Sequence, residues 1–276
     1  MSGNVVVIGS INLDVIAAVA RLPRPGETAL AQRVDVVPGG KGANQALGAA
    51  RAGARVTLIS AVGEDGEQYL RYLEKHGVSV QHVMRAPLAT GRAYIAVDDQ
   101  GENSIIVAAG ANAALTAHWI LRCQDVIRSA DIVLVQQEIP TAAIREALTL
   151  AADAHVPTIL NASPVDAASR ELGDLATVVV VNEHENRLVG IPDAVVTLGA
   201  AGARWGDDAV RPMTATTVDT TGAGDAFAGA LAAALAVGRS RSQALAMAVE
   251  SGTSATQWAG AQPDGFEPVA DLRNLS

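Results

Sequence analysis

The sequence predicts an α/β protein: a doubly wound, mostly parallel sheet with flanking helices, plus a small β-sheet that acts as a lid. Three observations carry this reading. Beyond Asp131 the chain alternates short Val/Ile-rich runs with helical stretches, as parallel strands joined by crossover helices do. Apolar residues make up 49% of the 276 residues and aromatics only 3%, so the core is Ala, Val, Leu and Ile, which suits helices packed on a β-branched sheet. Segments at about 11–17, 32–37 and 91–107 alternate polar with apolar residues, the pattern of strands with one solvated face. All of 1–276 reads as one domain, with those segments as lid strands inserted into it.

Taken in order, 4–10 is a short buried strand closed by Gly9 and Ser10. Residues 11–16 alternate, so Asn12 and Asp14 share one face. An amide beside a carboxylate supplies both the donors and the acceptors that a polyol requires; the same pair also suits the wet face of an edge strand. A Pro- and Gly-containing turn follows at 21–27, then a second alternating strand at 32–37. Gly39, Gly40 and Gly42 surround Lys41, and three glycines in four positions imply close backbone approach. A helix runs from 43 to 52 and ends at Gly53, with Asn44 in its first turn. Gly39 to Gly42, Lys41 and Asn44 thus read as the wall of a small polar pocket, or as a purely structural turn.

Next come a strand at 55–61, a loop at 63–66 and a helix at 67–76 closed by Gly77. Segments 90–98 and 103–107 form a hairpin about the turn at 99–102. With the two earlier strands they make a small sheet able to cover the pocket and exclude water, with the loop at 108–112 beside it. Strands then follow at 131–136, Thr158–Asn161, 176–182 and 194–198, with a helix at 141–155. In such sheets ligands sit beyond the carboxyl ends of the strands, where Glu138, Asn161, Asn182 and Gly199 stand. Glu138 alone is a weak signal, and His184 reads as a surface residue. Asn182 and Glu185 can approach phosphates directly or through a metal-bound water. The turn from Thr197 to Gly202, with Gly199 and Gly202, suits a nucleotide brought close to backbone. A last helix spans 244–258, before a loop at 260–263.

The stretch around which the chemistry is organised is 218–229. It reads as the end of an extended segment, a turn at Gly222-Ala223-Gly224, and a helix carrying Asp225 in its first turn. Free N–H groups and the positive dipole end favour an anion there. A carboxylate is poorly placed to contact that anion but well placed to take a proton from a hydroxyl attacking it. Asp225 is equally consistent with a simple dipole partner. Phe227 stands where the dinucleotide fingerprint has its third glycine, and no Gly-Lys-Ser/Thr follows, so neither common phosphate motif applies.

Net charge is −9 with no Lys/Arg run, which argues against nucleic acid as a partner. The single Cys123 reads as an apolar filler and fits a reducing compartment. No uncharged apolar run of about 20 residues suggests a membrane span, so a soluble cytoplasmic protein is expected. No His/Cys pattern has zinc spacing.

With these residues in place, the chain resembles the ribokinase family of sugar kinases, the PfkB group, over nearly its whole length. The resemblance lies in Gly-Ser-Ile-Asn-Leu-Asp (9–14), Gly-Gly-Lys-Gly-Ala-Asn-Gln-Ala (39–46), Ala-Gly-Ala-Asn-Ala-Ala-Leu (109–115), Asp-Thr-Thr-Gly-Ala-Gly-Asp (219–225) and Gly-Ala-Gln-Pro (260–263). It implies a ribokinase-like fold and ATP-dependent transfer of the γ-phosphoryl group to a sugar primary hydroxyl, with D-ribose to D-ribose 5-phosphate the expected reaction. By this resemblance Asp225 is the base, and Gly222, Ala223 and Gly224 form the anion hole. Asn12, Asp14, Gly39, Gly40, Lys41, Asn44, Glu138 and Asp225 face the sugar. Asn182, Glu185, Thr197, Gly199, Gly202 and Gly224 face the nucleotide, and Glu185 reaches magnesium through water. A monovalent cation, potassium, is implied near Asp219, Thr221, Ala255, Gly260 and Asp264. The implied assembly is a homodimer through the lid sheet, with no nucleic-acid or membrane partner.

Three departures from the family pattern shape further expectations. Only 11 residues separate Asn182 from Ala194, where the family has a longer segment with an extra helix, so a trimmed crossover is expected beside the nucleotide site. Asp264 stands where a Ser is usual, which alters one cation ligand. The chain stops soon after Asp271-Leu272, so a terminal helix is expected to be short or absent. Two rival readings stay open: a kinase for another pentose, a ketohexose or a nucleoside, and a non-catalytic sugar-binding relative.

Overall fold

Strand β1 (Asn4–Ile8) explains why a sheet lies at the centre. Val5 and Val7 point into one apolar cluster, Val6 and Ile8 into another, and all four are fully buried. A strand apolar on both faces requires helices on both sides. The computed structural model describes residues 2–262. Asp264 and the expected terminal helix lie outside the described residues.

Beside β1 on one side lie β4 (Arg55–Val62) and β5 (Val78–Arg85). On its other side follow β8 (Ile132–Gln136), β9 (Thr158–Asn161), β10 (Val178–Asn182) and β11 (Val195–Thr197). These seven are parallel to their neighbours. The hairpin β12 (Ala203–Trp205) and β13 (Asp208–Val210) extends the sheet antiparallel to nine strands. Helices α1 (Lys41–Arg51), α2 (Glu67–Lys75), α8 (Ala223–Ala236) and α9 (Arg241–Ala255) feed one cluster. Helices α3 (Ala117–Arg122), α4 (Gln124–Arg128), α5 (Thr141–Asp153) and α6 (Ser169–Leu175) feed the other. A second, four-stranded sheet has the order β3 (Arg33–Gly39), β2 (Asn12–Ala18), β6 (Arg92–Val97) and β7 (Asn103–Ala108).

The differences from the sequence reading have local causes. β5 is absent from that reading because a register irregularity against β4 breaks its alternation between Val80 and Val83. The helices α3 and α6 and the strands β12 and β13 are too short for periodicity to register, and α3 is interrupted at Cys123 before α4 begins. The expected extended segment before Gly222 carries no strand assignment from Arg211 to Thr221. The short crossover after β10 nevertheless holds a helix, α7 (Glu183–Val189). Asn182 and Glu185 form a reciprocal capping box at its start, and Gly190 closes it in the left-handed conformation with φ 61°. Roughly two helical turns therefore fit into the 11 residues, and β11 still pairs parallel with β10.

Candidate active site

The carboxyl ends of β1, β8, β9, β10 and β11 come together at one edge, facing the N-termini of α1 and α8. β2 leaves β1 through Ser10 and pairs with β3, so that Asn12 lies opposite Gly39 and Asp14 opposite Val37. A side chain on Gly39 would run into the Asp14 carboxylate. One on Gly40, whose φ is 89°, would come within 2.7 Å of the Asn12 backbone nitrogen. Both glycines are therefore dictated by this wall. Asn112 donates to the Asn12 Oδ1 at 2.8 Å and accepts from the Ile11 amide at 3.0 Å, which orients the Asn12 carboxamide.

Glu138, in the loop after β8, fixes the start of α1. Its Oε2 accepts from the Ser10 hydroxyl at 2.5 Å and from the Lys41 backbone amide at 3.0 Å. Asp225 is 8% exposed, on the first turn of α8, with both oxygens occupied from α1. Gln45 donates to Oδ1 at 2.9 Å and Asn44 to Oδ2 at 3.3 Å. Gln262 in turn donates to Asn44 Oδ1 at 2.6 Å.

Gly222 is the N-cap of α8, with φ 75°, and offers no side chain to the first-turn amides. The Ala223 amide donates to the Thr220 carbonyl at 3.2 Å. The turn borders two adjoining cavities. The smaller, about 140 Å³, holds Lys41, Asn161, Asn182, Glu185, Gly222, Gly224 and Asp225. The larger, about 370 Å³, is lined by Thr197, Gly199, Gly202, Ala223, Gly224 and apolar residues of the 212–217 segment and α9. Thr197 and Gly224 belong to both. In the capping box Asn182 Oδ1 accepts from the Glu185 amide and Glu185 Oε2 accepts from the Asn182 amide, each at 2.8 Å. The Asn182 Nδ2 and the second Glu185 oxygen remain for a ligand.

Behind the turn, Asp219 Oδ1 accepts from the Thr221 amide and hydroxyl, and Oδ2 from the Gly260 amide at 2.8 Å. Burial pulls the Asp219 carboxyl up, but these donors outweigh it and hold it below the usual carboxylate range. Ala255 ends α9 buried and can offer only its carbonyl. The partners of Asp219 here are N–H and O–H donors, and the oxygens that a hard monovalent cation could take are its carboxylate and the Ala255 carbonyl.

The charge balance is uneven. Burial lowers the pKa of Lys41, yet the carboxylates of Asp225, Glu138 and Glu185 raise it by more, so the ammonium stays charged. Asp14 is pushed up to about 7, first by burial and then by Glu138 and Asp225. A triphosphate entering here would meet one lysine and several carboxylates, so it needs a cation of its own. Among the described residues no group of three acidic, His or Cys side chains could hold a metal alone. The residues thus fit a magnesium ion brought by a triphosphate, to which the second Glu185 oxygen could be offered.

The sequence reading brought together most of these residues but gave no role to Gln45, Gln262 or Ser10. All three stood inside quoted motifs. Only the side-chain bonds reveal what they touch.

The model of the family described as "pfkB family carbohydrate kinase" matches residues 2–267. The ribokinase of Bacillus subtilis is 36% identical over 264 residues, covering 89% of this chain and 90% of that one. The structure of Arabidopsis thaliana ribokinase complexed with ribose and ATP superposes with a TM-score of 0.85 at 31% identity, covering 100% of both chains. A nucleoside kinase from Burkholderia thailandensis in complex with inosine superposes with a TM-score of 0.82 at 22% identity, covering 94% of this chain and 91% of that one, a likeness of fold alone.

Proposed function

The chain belongs to the pfkB family of carbohydrate kinases, and from that premise we propose that it transfers the γ-phosphoryl group of ATP to the 5-hydroxyl of D-ribose. The observation that carries the proposal is Asp225, buried and held on both oxygens, in the first turn of α8 and lining the smaller cavity.

The sugar occupies the pocket walled by Asn12, Asp14, Gly39, Gly40, Lys41, Asn44 and Glu138. Their amide and carboxylate groups match a polyol's donors and acceptors. The nucleotide lies along Thr197, Gly199 and Gly202 in the larger cavity, with its phosphates directed towards Gly224 and the smaller one. Asp225 accepts the proton of the attacking hydroxyl as its oxygen bonds to the γ-phosphorus and the bond from that phosphorus to the bridging oxygen breaks, with ADP leaving. The amides at Gly222 and Gly224, with the helix dipole and with the Ala223 amide once a phosphate draws it from the Thr220 carbonyl, stabilise the charge on the transferred group. Phosphoryl transfer asks mainly for positioning and charge stabilisation, which a weak base in a rigid turn provides. Magnesium would be held beside Glu185 and would supply positive charge that offsets the carboxylates around Lys41. Potassium near Asp219, Thr221, Ala255 and Gly260 would stiffen the turn from behind.

The small sheet serves as a lid over the sugar, since Asn12 and Asp14 sit on its β2 strand. A second copy of the chain is its proposed partner. Ile106 (70% exposed), Val107 (59%) and Ile105 (51%) on the edge strand β7 support this, as a long apolar edge otherwise invites uncontrolled pairing. Cys123, buried and unpaired with its thiol pushed up to about 11, supports a reducing compartment, the cytoplasm.

The test is ADP release with ATP, magnesium and potassium across D-ribose, 2-deoxyribose, fructose and adenosine. Turnover with ribose far above the others is expected. Preference for adenosine would replace ribose by a nucleoside in the same site. Asp225→Ala should lower kcat on the order of 10²–10⁴-fold while calorimetry still detects sugar binding. Substantial activity in that variant would remove Asp225 as the base.

A further inference from the structure

Gln45 is fully buried on α1. Its Nε2 donates both protons, one to Asp225 Oδ1 at 2.9 Å and one to Asn161 Oδ1 at 3.0 Å. Asn161 ends β9 and donates to the Val180 carbonyl at 3.2 Å, so its own carboxamide is anchored to β10. The Gln45 Oε1 is buried with no hydrogen-bond partner. An orphaned buried acceptor is a standing cost, and a position that needed only volume would carry Leu or Met. Gln therefore serves its donors rather than the core.

The two oxygens of Asp225 are not equivalent. Oδ1 faces the buried side and is gripped by Gln45; Oδ2 faces the partly buried side, where Asn44 holds it by a longer bond of 3.3 Å. A carboxylate that accepts a proton in flight needs a lone pair to spare on one oxygen and its plane fixed. We propose that Gln45 is a positioning residue for phosphoryl transfer: through the Asn161–Gln45–Asp225 chain it locks Asp225 so that Oδ2 alone meets the attacking hydroxyl. This rests on Asp225 being the base. It concerns Gln45 and Asn161, neither of which the sugar needs to touch.

Gln45→Met keeps length and removes both donors. Gln45→Glu keeps shape and sets a second carboxyl against Asp225, so the two groups share protons as a pair. The other titratable groups around Asp225 are Asp14 on β2, Glu138, Lys41 on α1, Tyr69 on α2 and Glu185 on α7. All are common to wild type and variants, so a difference between their pH profiles isolates position 45.

The experiment measures kcat and the ribose KM against pH for wild type, Q45M, Q45E and Asp225→Asn, with melting temperature recorded for each. For Q45M the expected result is a fall in kcat of about 10–100-fold with KM within about threefold. For Q45E it is an acid limb of kcat/KM moved up by at least about one pH unit. Folded variants with kcat within about threefold and an unmoved acid limb would overturn the proposal and leave Gln45 a core residue. Activity retained in Asp225→Asn would remove the base and this inference together, whereas an inactive Asp225→Asn beside an unaffected Q45M sinks this inference alone. Should the Gln45 variants not fold, wild-type protein decides. The Gln45 side-chain amide resonance must titrate with the acid limb of kcat/KM, and a resonance flat across that limb counts against the proposal.

Discussion

Asp14 shows what the site costs the resting protein. Its Oδ1 is buried without a partner, and burial together with Glu138 and Asp225 lifts its pKa from 3.8 to about 7. Between those values the folded chain holds a proton that the unfolded chain has released. Stability from this group therefore falls as pH rises from about 4 to about 7 and is level above. Asp14→Asn removes the effect. At pH 8 the ligand-free variant should melt higher by at least about 2–4 °C, the change that about 1 kcal/mol gives in a chain of this size, since the rise from 3.8 to about 7 corresponds to at most about 4 kcal/mol. Its ribose affinity should fall at least tenfold, because an amide no longer accepts twice from sugar hydroxyls. Thermal scans at pH 4.5 and pH 8, with ribose titrations, check both; a variant less stable at pH 8 would contradict the reading.

At the scale of elements, the site depends on how closely α1 and α8 approach. A Cβ on Gly229 would lie 2.5 Å from the Ala49 nitrogen and 2.8 Å from the Gly48 carbonyl carbon, both backbone atoms that cannot rotate aside. Gly48 in turn faces Ala226, and Gly252 of α9 faces the Ala223 carbonyl at 3.1 Å. Glycine inside a helix costs about 1 kcal/mol relative to alanine, so propensity alone favours Gly229→Ala. Overpacking against backbone costs about 1–3 kcal/mol and should win. Denaturant unfolding is expected to show a net loss of up to about 2 kcal/mol. Turnover should fall as well, because a wider gap stretches the Asn44 and Gln45 bonds to Asp225. A stabilised, fully active Gly229→Ala would show that this contact does not set the gap. On the nucleotide side, α7 shows how a short crossover still makes a helix: the Asn182–Glu185 box supplies the stop at one end and Gly190 the stop at the other.

For the whole molecule, the small sheet presents in-register apolar rows, Ile16, Ile95 and Ile105 on the face that carries Asp14, and Val15, Tyr94 and Ile106 on the other. If the lid is also the dimer contact, as proposed, assembly is coupled to the sugar site. Ile106→Lys should give a monomeric mass by sedimentation at micromolar concentration and a raised ribose KM. A dimer that survives this change would place the interface elsewhere. Much of this architecture was legible in the chain. The alternation after Asp131 called for a parallel sheet, the Gly39–Gly42 and Gly222–Gly224 turns marked where backbone had to come close, and the strand ends pointed to one edge. These features are local, and period and backbone conformation are written in neighbouring residues. The bulge that hides β5, the brief strands of the β12–β13 hairpin and the capped α7 were not legible, because each arises from pairing or capping over too few residues for a period to form. What the sequence by itself determined is the fold and the residue types at each ligand-facing turn. Only the tertiary structure decided which groups touch: Gln45 meets Asp225 across 180 positions and Gln262 meets Asn44 across 218. Such bonds follow from the packing of α1 against α8, and sequence spacing carries no record of them.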